Sequence, residues 1–491
     1  MNISIIRYIL GWVLAIEGGF MFLPCLVAVI YGESGGWYFA VIGTTAALTG
    51  LCMIRKKPQS NIFYIREGSI ATALSWILLS VVGALPFWLS GEIPSFTDAL
   101  FETVSGFTTT GASVLSNVEA LSRCMLFWRS FTHWLGGMGV LVFLLAVIQM
   151  PGGFHMNLMK AESPGPSVGK LRPKVRQTAQ ILYAIYLAMT IAEVILLLLG
   201  NMPLFDALTT SFGTAGTGGF GIKNDSMGSY SPYIQWVVSI FMILFGVNFS
   251  FYYLLLFRRW REAFRLEEVR NYFLIILGAI VIILIDLGRT AMGFWDSLRH
   301  VTFQVSSIIT TTGFATLDFN SWPEVARTML ILLMFVGACA GSTGGGIKVS
   351  RITLVAREMT RELRRYIYPR KVETIEQDGH PVDQEIIHGV DVYVLTFVFL
   401  VTLSVFLLSI EHHDLISNFT AVAATINNIG PGLELVGPTG NFGFFKPLSK
   451  YVLMFDMLAG RLELYPMLLL FYPGSWSDVF RRKKRRSRQT A

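Results

Sequence analysis

The chain alternates long apolar runs with short polar stretches, and the alternation itself repeats. Two apolar runs near the start, about 5–31 and 37–54, precede four copies of one unit. Each unit is an apolar run, a polar stretch ending in glycine, and a second apolar run. The paired runs fall near 69–90 and 125–149, 178–200 and 232–257, 271–288 and 325–368, and 391–410 and 449–472. A spanning helix takes about 20 apolar residues, so the pattern predicts ten spans and puts both termini on one side. The polar stretches are too short to span. Asp98–Thr108, Asp206–Ala215, Trp295–Thr310 and Leu415–Asn427 each fit a half-membrane helix that enters and returns. Irregular backbone at membrane depth persists only where protein buries it or it lines a wet cavity. Polar outer loops would be the plainer reading of any one stretch. Four at matched positions predict a single pore made of four quarters.

Composition agrees with a membrane protein. The 491 residues are 53% hydrophobic and 14% charged, with mean hydropathy +0.56, against about a quarter charged in soluble domains. The apolar run Ile9–Tyr31 is too long for a signal peptide and is read as the first span, despite Glu17. Cys25, Cys52, Cys124 and Cys339 have no CxxC spacing and read as small hydrophobes rather than metal ligands or a disulfide frame. The net charge of +7 is not a nucleic-acid signature, because Lys and Arg gather in alternate loops. They concentrate in Arg55–Arg66, Lys160–Arg176, Arg258–Arg270, Lys348–Lys371 and Arg481–Arg488. This positive-inside pattern puts those segments and both termini in the cytoplasm. The basic tail reads as a topology anchor at anionic lipid, or as a dock for a partner.

The polar stretches end in one signature. They run Phe101–Gly111 (FETVSGFTTTG), Leu208–Gly218 (LTTSFGTAGTG), Phe303–Gly313 (FQVSSIITTTG) and Thr420–Gly430 (TAVAATINNIG), all of equal length. A selectivity filter replaces an ion's water with carbonyl oxygens, which demands backbone angles that glycine adopts without a Cβ penalty. Gly111, Gly218, Gly313 and Gly430 are therefore the expected filter glycines. Thr109, Thr110, Thr217, Thr311 and Thr312 would add hydroxyls and pack behind the cage, and Asn428 and Ile429 take those places in the fourth copy. A half-helix would aim its partly negative C-terminal end at the site, favouring a cation. Asp98, Glu102, Asp206, Asp296, Asp318 and Asp414 could steer cations at the outer mouth, or simply solvate loops and cap helices.

The fourfold repeat, with its TTTG, GTG, TTTG and NIG ends, resembles the Trk/Ktr/HKT potassium transporters over essentially the whole chain. The two leading helices make it more similar to the TrkH type than to the shorter KtrB type. The resemblance implies an all-α membrane protein: four M1–pore helix–M2 repeats in pseudo-fourfold symmetry around one pore, after two extra helices. The expected divisions are 1–68 for the extension, 69–150 for repeat 1, 151–177 for a cytoplasmic loop and 178–258 for repeat 2. Repeat 3 takes 259–371, a cytoplasmic linker 372–390, repeat 4 391–473 and the basic tail 474–491. It also implies potassium uptake across a bacterial cytoplasmic (inner) membrane, a homodimer, and a cytoplasmic TrkA-like nucleotide-binding ring of the RCK type. No cofactor is expected in this chain, with potassium as substrate. In related plant transporters a Ser in place of the first filter glycine goes with sodium; here Gly111 is present, which favours potassium. The fourth copy departs, reading Asn427-Asn428-Ile429-Gly430-Pro431.

Two features lie beyond the filter. In the third repeat an apolar run gives way to Gly337-Ala338-Cys339-Ala340-Gly341-Ser342-Thr343-Gly344-Gly345-Gly346, followed by Lys348 and a basic stretch. Each glycine weakens a helix by about 1 kcal/mol relative to alanine, so three in a row should break it. In the related family the matching stretch is an intramembrane loop that gates flux, and Gly341–Lys348 is the expected gate; the other reading is close helix packing through small residues. Arg461 lies in the apolar run Tyr451–Phe471, where a charge is functional by default. It is read as a barrier to cations paired with gate carbonyls, or as half of an ion pair joining helices.

Other residues carry less. Glu411-His412-His413-Asp414 reads as a polar turn rather than a metal site, and His133 as a packed membrane histidine beside a close crossing at Gly136, Gly137 and Gly139. No convergent nucleophile, metal or acid–base set points to an enzyme. A sodium-coupled or other-cation secondary transporter remains the alternative, since it would use mid-membrane carboxylates, of which Glu193 is one.

Overall fold

The computed structural model describes residues 1–58, 64–139, 175–288, 293–371 and 373–476. The latter half of the first inner run, residues 151–174 of the first cytoplasmic loop and residues 477–491 of the basic tail lie outside them. Among the described residues, six helical spans are long and apolar enough to cross a membrane. Two form the leading pair, Ile3–Tyr31 and Gly36–Ile54; the others are the outer helices of the four repeats, Ile65–Leu89, Gln177–Leu199, Glu267–Leu287 and Gln384–Glu411. The leading pair packs tightly because glycines face each other. A methyl at Gly18 would lie 2.5 Å from the carbonyl oxygen of Gly43, and one at Gly50 would lie 2.5 Å from that of Gly11. Small residues let backbones approach and maximise dispersion contact where no hydrophobic drive exists. The pair also shields the first repeat: 67% of the residues in the apolar stretch of Ile65–Leu89 are buried, against 22–33% in the other outer helices. Their exposed faces carry Leu199, Ile285 and Phe406, as lipid contact requires.

The four returning helices are present as expected, at Phe96–Phe107, Leu204–Gly216, Phe294–Ile309 and Leu415–Ile426. Ser95 and Asp414 cap the first and fourth, accepting from the amides of Asp98 and Ser417. Such side-chain acceptors satisfy the amides that a helix start leaves open.

The inner helices differ from the expectation of unbroken spans. Only the third was expected to break. The first ends at Gly137, with Gly139 at φ +81. The second bends by 90° between Pro232–Phe245 and Phe249–Leu256. The third is Glu324–Val336 and then Val349–Ile367, separated by the glycine loop. The fourth breaks between Pro447–Arg461 and Tyr465–Phe471, where Glu463 and Leu464 have positive φ. The linker 372–390 holds a short antiparallel pair, Glu376–Gln377 with His380–Pro381.

Candidate ion site and the loop against it

Each returning helix ends in the same turn. The amides of Thr109, Thr217, Thr311 and Asn428 reach back three residues, at 3.1, 3.0, 3.1 and 3.1 Å. Those of Thr110, Gly218, Thr312 and Ile429 reach back five, at 2.9, 2.8, 2.8 and 2.8 Å. This is the Schellman pattern, with its left-handed position filled by residues other than glycine at φ +54 to +58. A β-carbon there costs about 1–2 kcal/mol, a strain held by full burial of Thr109, Thr217, Thr311 and Asn428.

The shared hydrogen bonds set the register of the four quarters. Thr110, Gly218, Thr312 and Ile429 are equivalent, and so are the residues after them, Gly111, Gly219, Gly313 and Gly430. These four glycines have φ between +75 and +98; Gly218 does not have a positive φ. Equal segment length had matched Gly218 with Gly111, so the second quarter is displaced by one residue from that expectation. The sequence offers two adjacent glycines there, and only the turn geometry chooses between them.

The glycines close a ring. A methyl at Gly111 would lie 2.0 Å from the carbonyl oxygen of Gly218, one at Gly219 1.9 Å from that of Thr312, and one at Gly313 2.0 Å from that of Ile429. A methyl at Gly430 would lie 2.8 Å from the oxygen of Thr110. Each quarter thus backs onto the next in the order one, two, three, four, one. All four glycines also line one cavity of about 190 Å³, together with Ser113, Asn224 and Thr439.

Different side chains fasten the quarters. Thr108 and Thr110 share a hydroxyl bond of 2.8 Å, as do Thr310 and Thr312. Thr108 and Thr310 were not singled out from the sequence, although both belong to the repeated TTT. In the fourth quarter Asn428 Nδ2 donates to Thr110 Oγ1 at 3.0 Å and to the Met457 carbonyl at 2.8 Å.

None of the six outer carboxylates lines the cavity. Glu102 accepts from Arg129, Ser113 and the Val114 amide. Asp206 accepts from Tyr230, Asp98 pairs with Lys450, and Asp296 with Arg299. Asp318 and Asp414 cap helices, the latter accepting the Ser417 amide at 2.8 Å. That bond holds the Asp414 carboxyl below its ordinary range. The charged side chains that do face the cavity are Arg129 and Lys223.

The glycine loop packs against the helix-end side of the ring. Gly345 N–H donates to Thr311 Oγ1 at 2.6 Å. Methyls at Gly344 and Gly345 would lie 2.9 Å from the Thr310 carbonyl oxygen and 2.4 Å from that of Asn427. Gly341 and Gly346 turn the chain at φ +72 and +78, Ser342 Oγ folds back onto the Cys339 carbonyl, and buried Lys348 donates to Gly344. Arg461 Nη1 donates to the Thr343 carbonyl at 2.7 Å, and Nη2 donates to the carbonyls of Gly136 and Gly137. Arg461 therefore joins the fourth quarter's inner helix to the third quarter's loop and the first quarter's inner helix. The nearby ion pair is instead Arg351 with Glu463. Sequence reasoning missed Glu268. Its Oε1 accepts from Ala340 N–H at 2.7 Å and Ser350 N–H at 3.1 Å, so one carboxylate ties down both stems of the loop.

Comparison with known proteins agrees with this architecture. The family model TrkH, described as a cation transport protein, matches residues 38–478. The chain is 35% identical to the Trk system potassium uptake protein TrkH of Escherichia coli strain K12, over 97% of this chain and all of that protein. It is 32% identical to TrkI of Halomonas elongata, over 95% of each. The crystal structure of the potassium transporter TrkH from Vibrio parahaemolyticus superposes with a TM-score of 0.86 at 32% identity, covering 97% of this chain and all of that one. Family model, relatives and fold agree over nearly the full length, and the chain belongs to the TrkH family of cation transport proteins.

Proposed function

We propose that this chain carries potassium into the cell across a bacterial cytoplasmic membrane, with the carbonyls of Thr110, Gly218, Thr312 and Ile429 as its selectivity ring. The observation that carries the reading is the closed cycle of glycine-to-carbonyl contacts, which no side chain could enter. Backbone oxygens arranged around an axis substitute for the hydration shell of a cation. The left-handed residues Thr109, Thr217, Thr311 and Asn428 hold the turns, and Gly111, Gly219, Gly313 and Gly430 allow the close approach. Gly341–Lys348 is the gate, and Arg461 is both its latch and a positive barrier. Potassium is the cargo named for the relatives.

The same reading makes the chain a homodimer with one pore per protomer and both termini cytoplasmic. A TrkA-like nucleotide-binding RCK ring acts on the gate from that side. The divisions of the chain are those set out above, with repeat 3 carrying the gate. The alternative is a secondary transporter coupled to sodium or another cation. Glu17, Glu193 and Asp456 are buried carboxyls that favour it. None of them lines the cavity at the ring, and Asp456 accepts from Ser404 on an outer helix.

The test is tracer flux into liposomes holding the purified protein. Potassium and rubidium are expected to enter well ahead of sodium, without a requirement for sodium. Equal rates for the three ions would sink the ring reading, and a strict need for sodium would favour the alternative.

The stem anchor gives a second test. Glu268→Ala leaves the buried Ser350 amide and the half-buried Ala340 amide without their acceptor, at about 1–3 kcal/mol for a fully buried one. Resting potassium flux should rise, and hydrogen exchange at 340–350 should quicken. Glu268→Gln keeps one acceptor and should fall between. Resting flux equal to wild type in a folded Glu268→Ala protein would remove Glu268 from the gate.

A further inference from the structure

The second quarter lacks the side chains that fasten the others. Where the first and third have Thr108/Thr110 and Thr310/Thr312, it has Gly216 and Gly218. The space is filled from another quarter. His133, on the first quarter's inner helix Arg123–Gly137, is fully buried, and its ring lies where a Gly218 side chain would stand. A methyl at Gly218 would be 2.2 Å from His133 Nδ1 and 2.3 Å from its Cγ.

The ring is bonded at both ends. Nε2 lies 3.2 Å from the Phe220 amide, which can only donate, so Nε2 is the acceptor. The network therefore assigns the proton to Nδ1, which donates to the Gly106 carbonyl at 2.8 Å. Gly106 also accepts the Thr109 amide in the first quarter's capping turn, and Phe220 directly follows the ring glycine Gly219. One neutral imidazole thus joins the turn that sets the first quarter's ring residues to the irregular segment leaving the second. Arg129, one turn earlier on the same helix, reinforces the seam. Its Nη1 donates to the Gly221 carbonyl at 2.8 Å, and its guanidinium lies 3.5 Å from the Phe220 ring centre.

We propose that His133 is a positioning residue for the ion site: it substitutes across the seam for the side chain that the second filter lacks, and so fixes the spacing of the Thr110 and Gly218 carbonyls. A histidine packed only for volume would affect folding yield and leave selectivity alone. A histidine that sets carbonyl spacing determines the discrimination between potassium and sodium, because cage dimensions and dipole directions enter that difference. The inference rests on the carbonyl ring proposed above.

The test measures the potassium-to-sodium flux ratio per folded protein in liposomes for His133→Ala, with Gly313→Ser as reference on the far side of the ring. The ratio in His133→Ala is expected to drop about tenfold, the scale of one lost buried hydrogen bond. His133→Asn, which can keep the bond to Gly106, should lie between. A changed ratio in Gly313→Ser with a wild-type ratio in folded His133→Ala would overturn the role of His133 and leave the ring standing. No change in either would overturn both.

Adjacency has its own test. Gly218→Ala should collapse flux in the wild-type background and cost much less in His133→Ala, where the colliding ring is gone. Additive losses would overturn the claim that His133 occupies the missing side chain's place. Should His133→Ala fail to fold, His133→Asn paired with Gly218→Ala carries the same comparison.

Discussion

Gly219→Ala should abolish potassium-selective flux while the protein still reaches the membrane. Two effects act together at this position. At φ +75 a β-carbon is strained before any neighbour is considered, at about 1–2 kcal/mol. The methyl would then lie 1.9 Å from the Thr312 carbonyl oxygen and 3.0 Å from the Gly313 carbonyl carbon. Both atoms are backbone, so relief requires the third quarter's turn to move, and that displaces ring carbonyls. Removing one preorganised polar group from a site of charge stabilisation costs about a hundredfold or more, and that is the minimum loss expected in rubidium tracer uptake. Gly278→Ala is the control, because nothing lies within 4 Å of a methyl there. Wild-type uptake and selectivity in a folded Gly219→Ala protein would refute the register and the ring with it.

Arg461→Ala should act in the opposite direction and raise flux. Arg461 donates to three backbone carbonyls, on Thr343, Gly136 and Gly137. Hydrogen bonds to a charged group contribute about 1.5–3 kcal/mol each, though only the part lost when the loop moves bears on opening. One such bond is about tenfold in an opening equilibrium, and the loss of a positive charge beside the ring adds to cation flux. Unstimulated potassium flux is therefore expected to rise about tenfold or more. Arg461→Lys, a point charge without the planar fork, should raise it less. The measurement is tracer flux from liposomes without any cytoplasmic partner. Flux at or below wild type in a protein with an unchanged melting temperature would end the latch reading and leave Arg461 as a structural tie.

The two predictions concern different breaches of fourfold symmetry. The ring needs near equivalence, since each glycine must admit its neighbour's carbonyl. Control needs the opposite: one quarter supplies the loop, one supplies Arg461, and one supplies the carbonyls that receive it. Within the ring the seams also differ. Asn428 bonds across the fourth and first quarters, and His133 across the first and second.

Much of this was legible in the sequence because it depends on local physics. Apolar run length predicted ten spans, six of which are single helical spans among the described residues, and the polar stretches gave four returning helices to within a few residues. Three consecutive glycines gave the break before Lys348, and Arg461 stood out as a charge in an apolar run. What the tertiary structure alone decided is non-local. The turn after Gly216 makes Gly219 rather than Gly218 the second quarter's ring glycine, and the third quarter's Thr312 carbonyl, distant in the chain, packs where its side chain would stand. The breaks in the second and fourth inner helices involve no glycine run, and Glu268 resembles any acid at a helix start until the loop folds against it. His133 looked like packing for the same reason. A hydrogen bond's partner is set by where distant segments meet, and periodicity along one segment carries no record of that meeting.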